Sequence, residues 1–568
     1  MPKRRAFIKQ SAVAAAGLLL PIDARIARAA VVGPHGASRT AFLDLLRAPD
    51  LILAQTPGGT QTLRHASGAL WTGDSGISVS AEPVRDILRV TLASPGQAIS
   101  RIYLRWRGDL SGVRLITGDA WERAYGDLQW HSWMPDAAMP WYFATQTEAG
   151  THAYGVRTGA NALCYWQIDP EGISLCADVR SGGVPLQLGD RTLDVCDVVC
   201  RAGHAGESAF AAEHAFARQM CPTPRLPKQP VYGSNDWYWA YGNNSAESVR
   251  VDTQHILELS PTGGNRPFVV IDDGWQPGRG ADKAGAGAWD RGNEKFPDMA
   301  ALAAEVRRDS ARPGVWIRPL EASATTPDSW RLSRARTVLD PTVPEVRQKI
   351  HDDIARIHDW GFELIKHDYT SFDLFGRWGS QMGTALTRDD WKFASGAGRT
   401  TAEIIKDLYS NIRQAAGDSL IIGCNTVNHL AAGVFEICRI GDDTSGTEWA
   451  RTRKMGVNSL AFRGAQHNAL YAADADCVGV TTAVPWTLTR QWLELLSRSG
   501  TTCFVSLAND ALGAQQKADL KAALAIAAKP QPLGEPLDWQ RTVYPERWRL
   551  LGTDQSFDWF GPEGAGLP

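Results

Sequence analysis

After Val231 the chain settles into one rhythm: a short apolar run, then a stretch with helical spacing, repeated. The apolar runs begin near Val231, Phe268, Gly314, Phe362, Ser419, Phe435, Asn468 and Thr501, with helical patterns such as Met299–Arg308 and Pro344–Trp360 between most of them. Strands that alternate with helices pair in parallel, because each helix carries the chain back to the start of the next strand. Eight such steps in roughly 280 residues predict an α/β fold, a (β/α)8 TIM barrel. The shortest link is the fifth, where only 429–434 is available for a helix.

Three runs end in acids. Phe268-Val269-Val270-Ile271 leads to Asp272-Asp273-Gly274-Trp275, Phe362 to Ile365 leads to Lys366-His367-Asp368, and Phe435-Glu436-Ile437-Cys438 leads to Arg439-Ile440-Gly441-Asp442-Asp443. The C-terminal ends of barrel strands form the rim where such barrels build their active sites. Two opposed carboxylates there, helped by further acids, a cation and aromatic faces, are the equipment of a glycosidase.

Asp368 is the nucleophile candidate. Lys366 stands two positions before it and shares its side of the strand, and an ammonium nearby keeps a carboxylate ionised. An ordinary ion pair at a strand end is the other reading of that pair. Asp443 is the acid/base candidate. Its neighbour Asp442 is expected to raise its affinity for a proton, although Gly441-Asp442-Asp443-Thr444 also reads as a turn. Asp272 and Asp273 can accept hydrogen bonds from sugar hydroxyls, and Trp275 can stack on a pyranose. No regular ligand loop accompanies these acids, so neither a metal nor another cofactor is called for. Trp237, Trp239 and Tyr241 follow the first run and fit either a sugar platform or the core.

The rest of the chain divides around the barrel. Arg4-Arg5-Ala6-Phe7-Ile8-Lys9, the apolar run Ala12 to Leu20 and Ala27-Arg28-Ala29 read as a twin-arginine export signal over 1–29. The apolar run is too short to span a bilayer. Residues 30–221 alternate short strand-like runs, such as Ile87–Leu92 and Ile99–Leu104, with Gly, Pro, Asp and Ser turns, which predicts a large N-terminal β-sandwich. The proline-rich stretch 222–230 reads as a linker, 231–530 as the barrel and 531–568 as a short tail. A net charge of −3 gives no basis for a nucleic acid or a membrane surface as partner once the signal is removed. Nine cysteines, an odd number, leave at least one thiol unpaired and show no zinc spacing. The 22 tryptophans suit an aromatic core or a sugar site.

Taken in order, these motifs resemble the clan of glycoside hydrolase families 27 and 36, the α-galactosidases and α-N-acetylgalactosaminidases. Asp272-Asp273-Gly274-Trp275 is similar to that clan's segment for axial and primary hydroxyls. Phe296-Pro297-Asp298 followed by Gly314-Val315-Trp316, then Lys366-His367-Asp368, Cys424-Asn425 and Arg439 to Asp443, resemble its later motifs. The large sandwich before the barrel is closest to family 36. The resemblance implies a retaining exo-α-glycosidase, most simply an α-galactosidase. Asp368 would be its nucleophile and Asp443 its acid/base. Asp272, Asp273, Trp275, Trp316, Lys366, Asn425, Arg439 and Trp237 would hold a glycoside or oligosaccharide. A transglycosylase of the raffinose-synthase type, an enzyme for another sugar such as a β-L-arabinopyranoside, and a non-catalytic carbohydrate-binding barrel are the alternatives.

The sequence departs from the clan at several points. Gly314-Val315-Trp316-Ile317 leads to Arg318 and Pro319, where family 36 often has an acid. Asn425 stands where family 27 has a glutamate, and the Gly-rich loop of family 36 is absent. For Arg318, an ion pair with Asp272, Asp273 or Glu321 and a direct contact with an acidic sugar are both open.

Overall fold

The computed structural model describes residues 42–278, 286–388, 391–561 and 564, so the segment read as an export signal lies outside it. From Leu51 to Arg201 the strands form two antiparallel sheets, one of six strands and one of eight. Their alternation explains the packing. In Arg101–Arg107, Ile102, Leu104 and Trp106 are buried while Arg101, Tyr103 and Arg105 are partly exposed, the period of a strand with one face on a core. A helix, Ala209–Met220, closes the region and is capped by the Ser208 hydroxyl, which accepts a hydrogen bond from the Ala211 amide. Residues 222–230 carry no regular element.

The barrel strands are β1 (Tyr232–Asn235), β2 (Phe268–Ile271), β3 (Arg312–Ile317), β4 (Leu364–His367), β5 (Leu420–Gly423), β6 (Ile437–Arg439), β7 (Ala472–Asp474), β8 (Cys477–Val480) and β9 (Cys503–Leu507). They pair in the order β7-β6-β5-β4-β3-β2-β1-β9-β8, with every neighbouring pair parallel. Helices α1 (Ala246–Leu259), α2 (Met299–Arg308), α3 (Pro344–Asp359), α4 (Thr401–Ala415) and α5 (Trp486–Arg498) lie between strands, and α6 (Ala514–Ala527) follows β9. The seventh predicted run is two strands. It breaks at Ala475-Asp476, where Asp476 has φ 76°. β7 then continues the sheet beside β6, and β8 turns to pair with β9. The short fifth link contains a single helical turn, Asn428–Ala431.

Strand parity decides what faces inward. Phe268 and Val270 of β2, Leu364 of β4, Ile422 of β5, Ile437 of β6 and Phe504 of β9 form a small apolar cluster inside the barrel. Their sequence neighbours Val269, Ile271, Ile365, Ile421, Cys438 and Val505 belong to the larger core shared with the helices. Gly314 has the inward parity on β3, and a Cβ there would lie 2.9 Å from Val270 Cγ2, so the crowded interior requires glycine. One further step of two along β2, β4 and β6 places Asp272, Lys366 and Arg439 at the top of this interior, and a second step past Lys366 reaches Asp368.

The tail is more ordered than its length suggested. Glu535–Pro536, Arg547–Leu550 and Thr553–Ser556 make a three-stranded antiparallel sheet. Trp548 and Trp559 are fully buried in it. The Trp449 indole donates to the Trp559 carbonyl at 2.7 Å, tying the tail to the segment after β6.

Candidate active site

Asp368 leaves β4 as the strand ends. Its Oδ2 accepts from the Trp316 indole at 3.0 Å and its Oδ1 from the Tyr369 amide at 2.8 Å. Tyr369 has φ 66°, a left-handed conformation unfavourable for a side chain of its size. That turn starts the short helix Thr370–Phe375 directly behind the carboxylate. Lys366 differs from expectation. Its ammonium bonds Asp272 Oδ2 at 2.6 Å, across the barrel from β4 to β2, and Asp368 acts on it only as a more distant charge. Burial, the largest single influence, disfavours the charged ammonium, but Asp272, with Cys424 and Asp368 adding, outweighs it and favours the protonated form.

Asp272 is a hub. Its Oδ2 also accepts from Asn235 Nδ2 at 2.8 Å, and its amide donates to Asp236 Oδ1 at 2.8 Å. Burial, with the Asp272 charge adding, pushes the Asp236 carboxyl up to about 7. Asp273 is half-buried, with one oxygen taking the Gln276 amide at 2.7 Å.

Arg439, the last residue of β6, is divided between two acids. It reaches Asp476 Oδ2 at 2.6 Å and Asp443 Oδ1 at 3.0 Å. Asp476 stands at the β7–β8 break and also accepts from the Thr444 amide, the Thr444 hydroxyl and the Tyr238 hydroxyl. Asp442 turns the other way, to Arg123 at 2.7 Å and Arg451 at 2.8 Å. The proton-raising effect expected of Asp442 on Asp443 is therefore not what the structure delivers. Asp442 is neutralised by two arginines. Burial favours a proton on Asp443, but Arg123, Arg439, Lys366 and Arg451 outweigh it and hold the carboxyl down, to about 2. With 37 % of its side chain exposed, Asp443 is the open one of the pair. Asp368 and Asp443 both bear on the Tyr369 hydroxyl, which burial first, and then these two charges, keep protonated. Asp368, just past the end of β4, and Asp443, held by Arg439 at the end of β6, thus stand at the same rim.

Several expected sugar contacts are structural instead. Trp275 is completely buried, its indole donates to the Trp316 carbonyl at 2.8 Å, and Trp289 and Trp360 pack against it, so it supports the site from beneath and offers no stacking face. Asn425 is fully buried with both amide atoms engaged. Its Nδ2 donates to Glu122 at 2.6 Å and its Oδ1 accepts from the Phe372 amide at 3.1 Å, leaving nothing for a ligand. Trp316 is almost fully buried and orients Asp368. Trp237 is half-buried at the end of β1, against Tyr241. All nine cysteines are buried free thiols. Among the described residues no three His, Cys, Asp or Glu converge as a metal site would, and no helix is long and apolar enough to cross a membrane.

Arg318 finds a partner not foreseen from the sequence. Its Nε and Nη2 reach Asp373 at 3.0 and 2.5 Å, Glu321 lies at 3.9 Å, and the guanidinium covers the Tyr369 ring at 4.3 Å. The fork-to-fork pair neutralises the guanidinium and fixes it toward the helix. Arg318 therefore braces the helix behind Asp368. Replacing it with Met strands the wholly buried Asp373 and is expected to cost about 3–5 kcal/mol. Denaturant unfolding measures this. An unchanged midpoint, or a loss confined to acidic substrates, would count against the bracing role.

Sequence reasoning missed Glu122 and Arg123, which come from the sandwich, and also Asp236, Tyr238, Asp373 and Asp476. Asp236 repeats the pattern of an acid just after a strand and was findable on that signal. The Glu122-Arg123 pair sits between aromatics in a strand-poor stretch, and nothing in its spacing points to the barrel.

Paired carboxylates at the C-terminal rim of a (β/α)8 barrel, one of them, Asp443, with buried guanidiniums beside it, are the pattern of a glycosidase-type site. The fold is similar to those of solved α-galactosidases. TtGalA, the α-galactosidase of Thermus thermophilus solved with p-nitrophenyl α-D-galactopyranoside, superposes with a TM-score of 0.57 at 16% identity, over 89% of this chain and 99% of that one. The family 36 α-galactosidase AgaA of Geobacillus stearothermophilus gives 0.57 at 15% identity, over 85% and 75%. These likenesses establish the fold. By sequence, an α-galactosidase of Escherichia coli is 23% identical over 401 residues, 62% of this chain and 54% of that protein. The bifunctional α-galactosidase/sucrose kinase AgaSK of Mediterraneibacter gnavus is 26% identical over 208 residues, 34% and 21%. The chain therefore spans about half or less of these curated relatives' lengths. No family model matches.

Proposed function

We propose that the protein is a retaining exo-α-glycosidase, with α-galactosides as its substrates. The observation that carries this reading is the pair of carboxylates at one rim of the (β/α)8 barrel, Asp368 held by Trp316 and Tyr369 past β4 and Asp443 held by Arg439 at the end of β6. Asp368 attacks the anomeric carbon as the glycosidic bond breaks, and the departing oxygen takes a proton from Asp443. The glycosyl ester on Asp368 is then cleaved by water, whose proton returns to Asp443, so each cycle restores both carboxyls. The Trp316 indole and the Tyr369 amide hold the two oxygens of Asp368 and fix its line of attack. Lys366 and Asp272 present a fixed charge pair for the sugar's hydroxyls. The cations around Asp443 favour its base form, so its proton for the first step depends on a bound sugar that shuts out water around it.

The sequence at Arg4-Arg5 and the small-residue pattern at Ala27-Arg28-Ala29 support export through the twin-arginine route, with oligosaccharides met outside the cytoplasm. The names of the relatives support galactose as the sugar. A panel of aryl α- and β-glycosides, with product anomers followed by proton NMR, tests the activity. Cleavage of the α-galactoside with α-galactose as first product is expected. First release of the β anomer, or no turnover of any α-glycoside, would overturn the reading.

A further inference from the structure

A segment of the sandwich enters the barrel mouth. Ala124 bridges in parallel to Gly441: its amide donates to the Ile440 carbonyl at 2.9 Å, and its carbonyl accepts from the Asp442 amide at 2.8 Å. Gly441 is required by the packing of this loop on the following helical segment, since a Cβ there would lie 2.4 Å from the Met455 carbonyl oxygen and 2.5 Å from Ser459 Oγ. The clip fixes Glu122 and Arg123 against the loop that carries Asp443. Glu122 is fully buried. It accepts from the Ser371 and Tyr125 hydroxyls, from the Gly379 amide at 2.8 Å and from Asn425 at 2.6 Å.

Arg123 has 6 % of its side chain exposed. One terminal nitrogen bonds Asp442 at 2.7 Å; the other lies 3.6 Å from Asp443 and 3.7 Å from Cys424 Sγ. Its guanidinium also lies 5.5 Å from the centre of the Trp378 ring. We propose that Arg123 is a positioning residue for Asp443, with Asp442 as its counterweight, so that the sandwich domain sets the working state of the acid/base carboxyl. The proposal rests on the glycosidase reading only for its kinetic test.

Charged or titratable groups from several elements surround Asp443, some directly and others, Asp368, Cys424 and Asp476, through partners they share with it. Arg439 comes from its own strand, Asp442 is its neighbour, and Arg451 comes from the following turn. Lys366, Asp368 and Tyr369 come from β4, Cys424 from the end of β5, Tyr238 from beyond β1 and Asp476 from the β7–β8 break. Most of the cations are committed elsewhere: Lys366 to Asp272, Arg451 to Asp442, and Arg439 in part to Asp476. Arg123 is shared between the two adjacent carboxylates. At 3.6 Å its contact with Asp443 is an ion pair without a hydrogen bond, and it can tighten or relax as that carboxyl loses or gains a proton. Removing Arg123 leaves Asp442 half-neutralised beside Asp443, and both changes favour the protonated acid. Removing Asp442 releases two guanidiniums toward Asp443 and favours the ionised form.

The test is a titration of the Asp443 carboxyl by 13C NMR in the full chain without substrate, with the resonance assigned by its absence in Asp443→Asn. Arg123→Gln is expected to raise the midpoint by at least about one unit, the usual effect of losing an opposite charge at this range. Arg123→Lys keeps the charge and should restore most of the original midpoint. Adding Asp442→Asn to Arg123→Gln should bring it back down. In parallel, the pH profile of kcat/KM on a glycoside with a poor leaving group should move to higher pH in Arg123→Gln, while a dinitrophenyl glycoside, which needs no proton, should show no such move. A lower melting temperature and rate with every midpoint unmoved would reduce Arg123 to a structural prop and overturn the proposal. If Arg123→Gln fails to fold, Asp442→Asn alone decides, because a raised midpoint there has the wrong sign. A shifted NMR midpoint without turnover of any glycoside would sink the functional reading and leave this one standing.

Discussion

Asp368→Asn is expected to lower kcat on any glycoside by about 10³-fold or more, because an amide cannot form the glycosyl ester and no other carboxylate occupies its place. Residual activity within about tenfold of the parent would remove Asp368 from the nucleophile's role. The structure adds a second effect. Both oxygens of Asp368 accept N–H bonds, from the Trp316 indole and the Tyr369 amide. An asparagine brings one acceptor and one NH2 group, so one of those donors must face another donor. A buried polar group left unpaired costs about 1–3 kcal/mol, so the variant should also unfold at a lower denaturant concentration. A rate measurement on this variant needs a folding control, and the two losses are separable because the stability loss is modest while the rate loss is not.

Asp443→Ala is expected to separate substrates by leaving group. Oligosaccharides, whose departing oxygen needs a proton, should lose about 10²–10⁴-fold, and dinitrophenyl glycosides far less in the step that forms the ester. Azide, a nucleophile that needs no base, should then rescue the activated substrates by taking the place of water. Folding should survive, because Arg439 keeps Asp476 at 2.6 Å and Arg123 keeps Asp442 at 2.7 Å. Equal losses on both substrate types, with no azide effect, would shift the acid/base role away from Asp443.

The barrel was readable because its signal is local. Apolar runs four to six residues long must bury both faces, as β2 (Phe268–Ile271) and β4 (Leu364–His367) do, and alternation with helices leaves a parallel sheet as the outcome. The acids at the strand ends were readable for the same reason: a residue's parity and its distance past the last apolar position place it at the rim. The division of the seventh run into β7 and β8 was not readable. It depends on Asp476 taking a left-handed conformation, held by Arg439 and Thr444 from elsewhere in the barrel.

Partner choice was where the sequence reading went astray. Lys366 two positions before Asp368 predicted their pairing, but the ammonium reaches across to Asp272. Trp275 has the composition of a sugar platform and lies completely buried under Trp316. Arg318 was matched to acids near it in the motifs; one of them, Glu321, lies at 3.9 Å, but the close bidentate partner is Asp373 on the helix after Asp368. In each case the side chain is long enough to reach several candidates, and burial makes the choice, since a charge withdrawn from water must have the partner with the best geometry.

The sequence by itself therefore determined the architecture of the barrel and the position of Asp368 and Asp443 at its rim, because both follow from the spacing of residues along a single strand. Only the tertiary structure decided the electrostatic state of those carboxylates. The charges that set it come from segments far apart in the chain, Arg123 of the sandwich foremost, and Coulomb interactions depend on separation in space, to which separation along the chain is no guide.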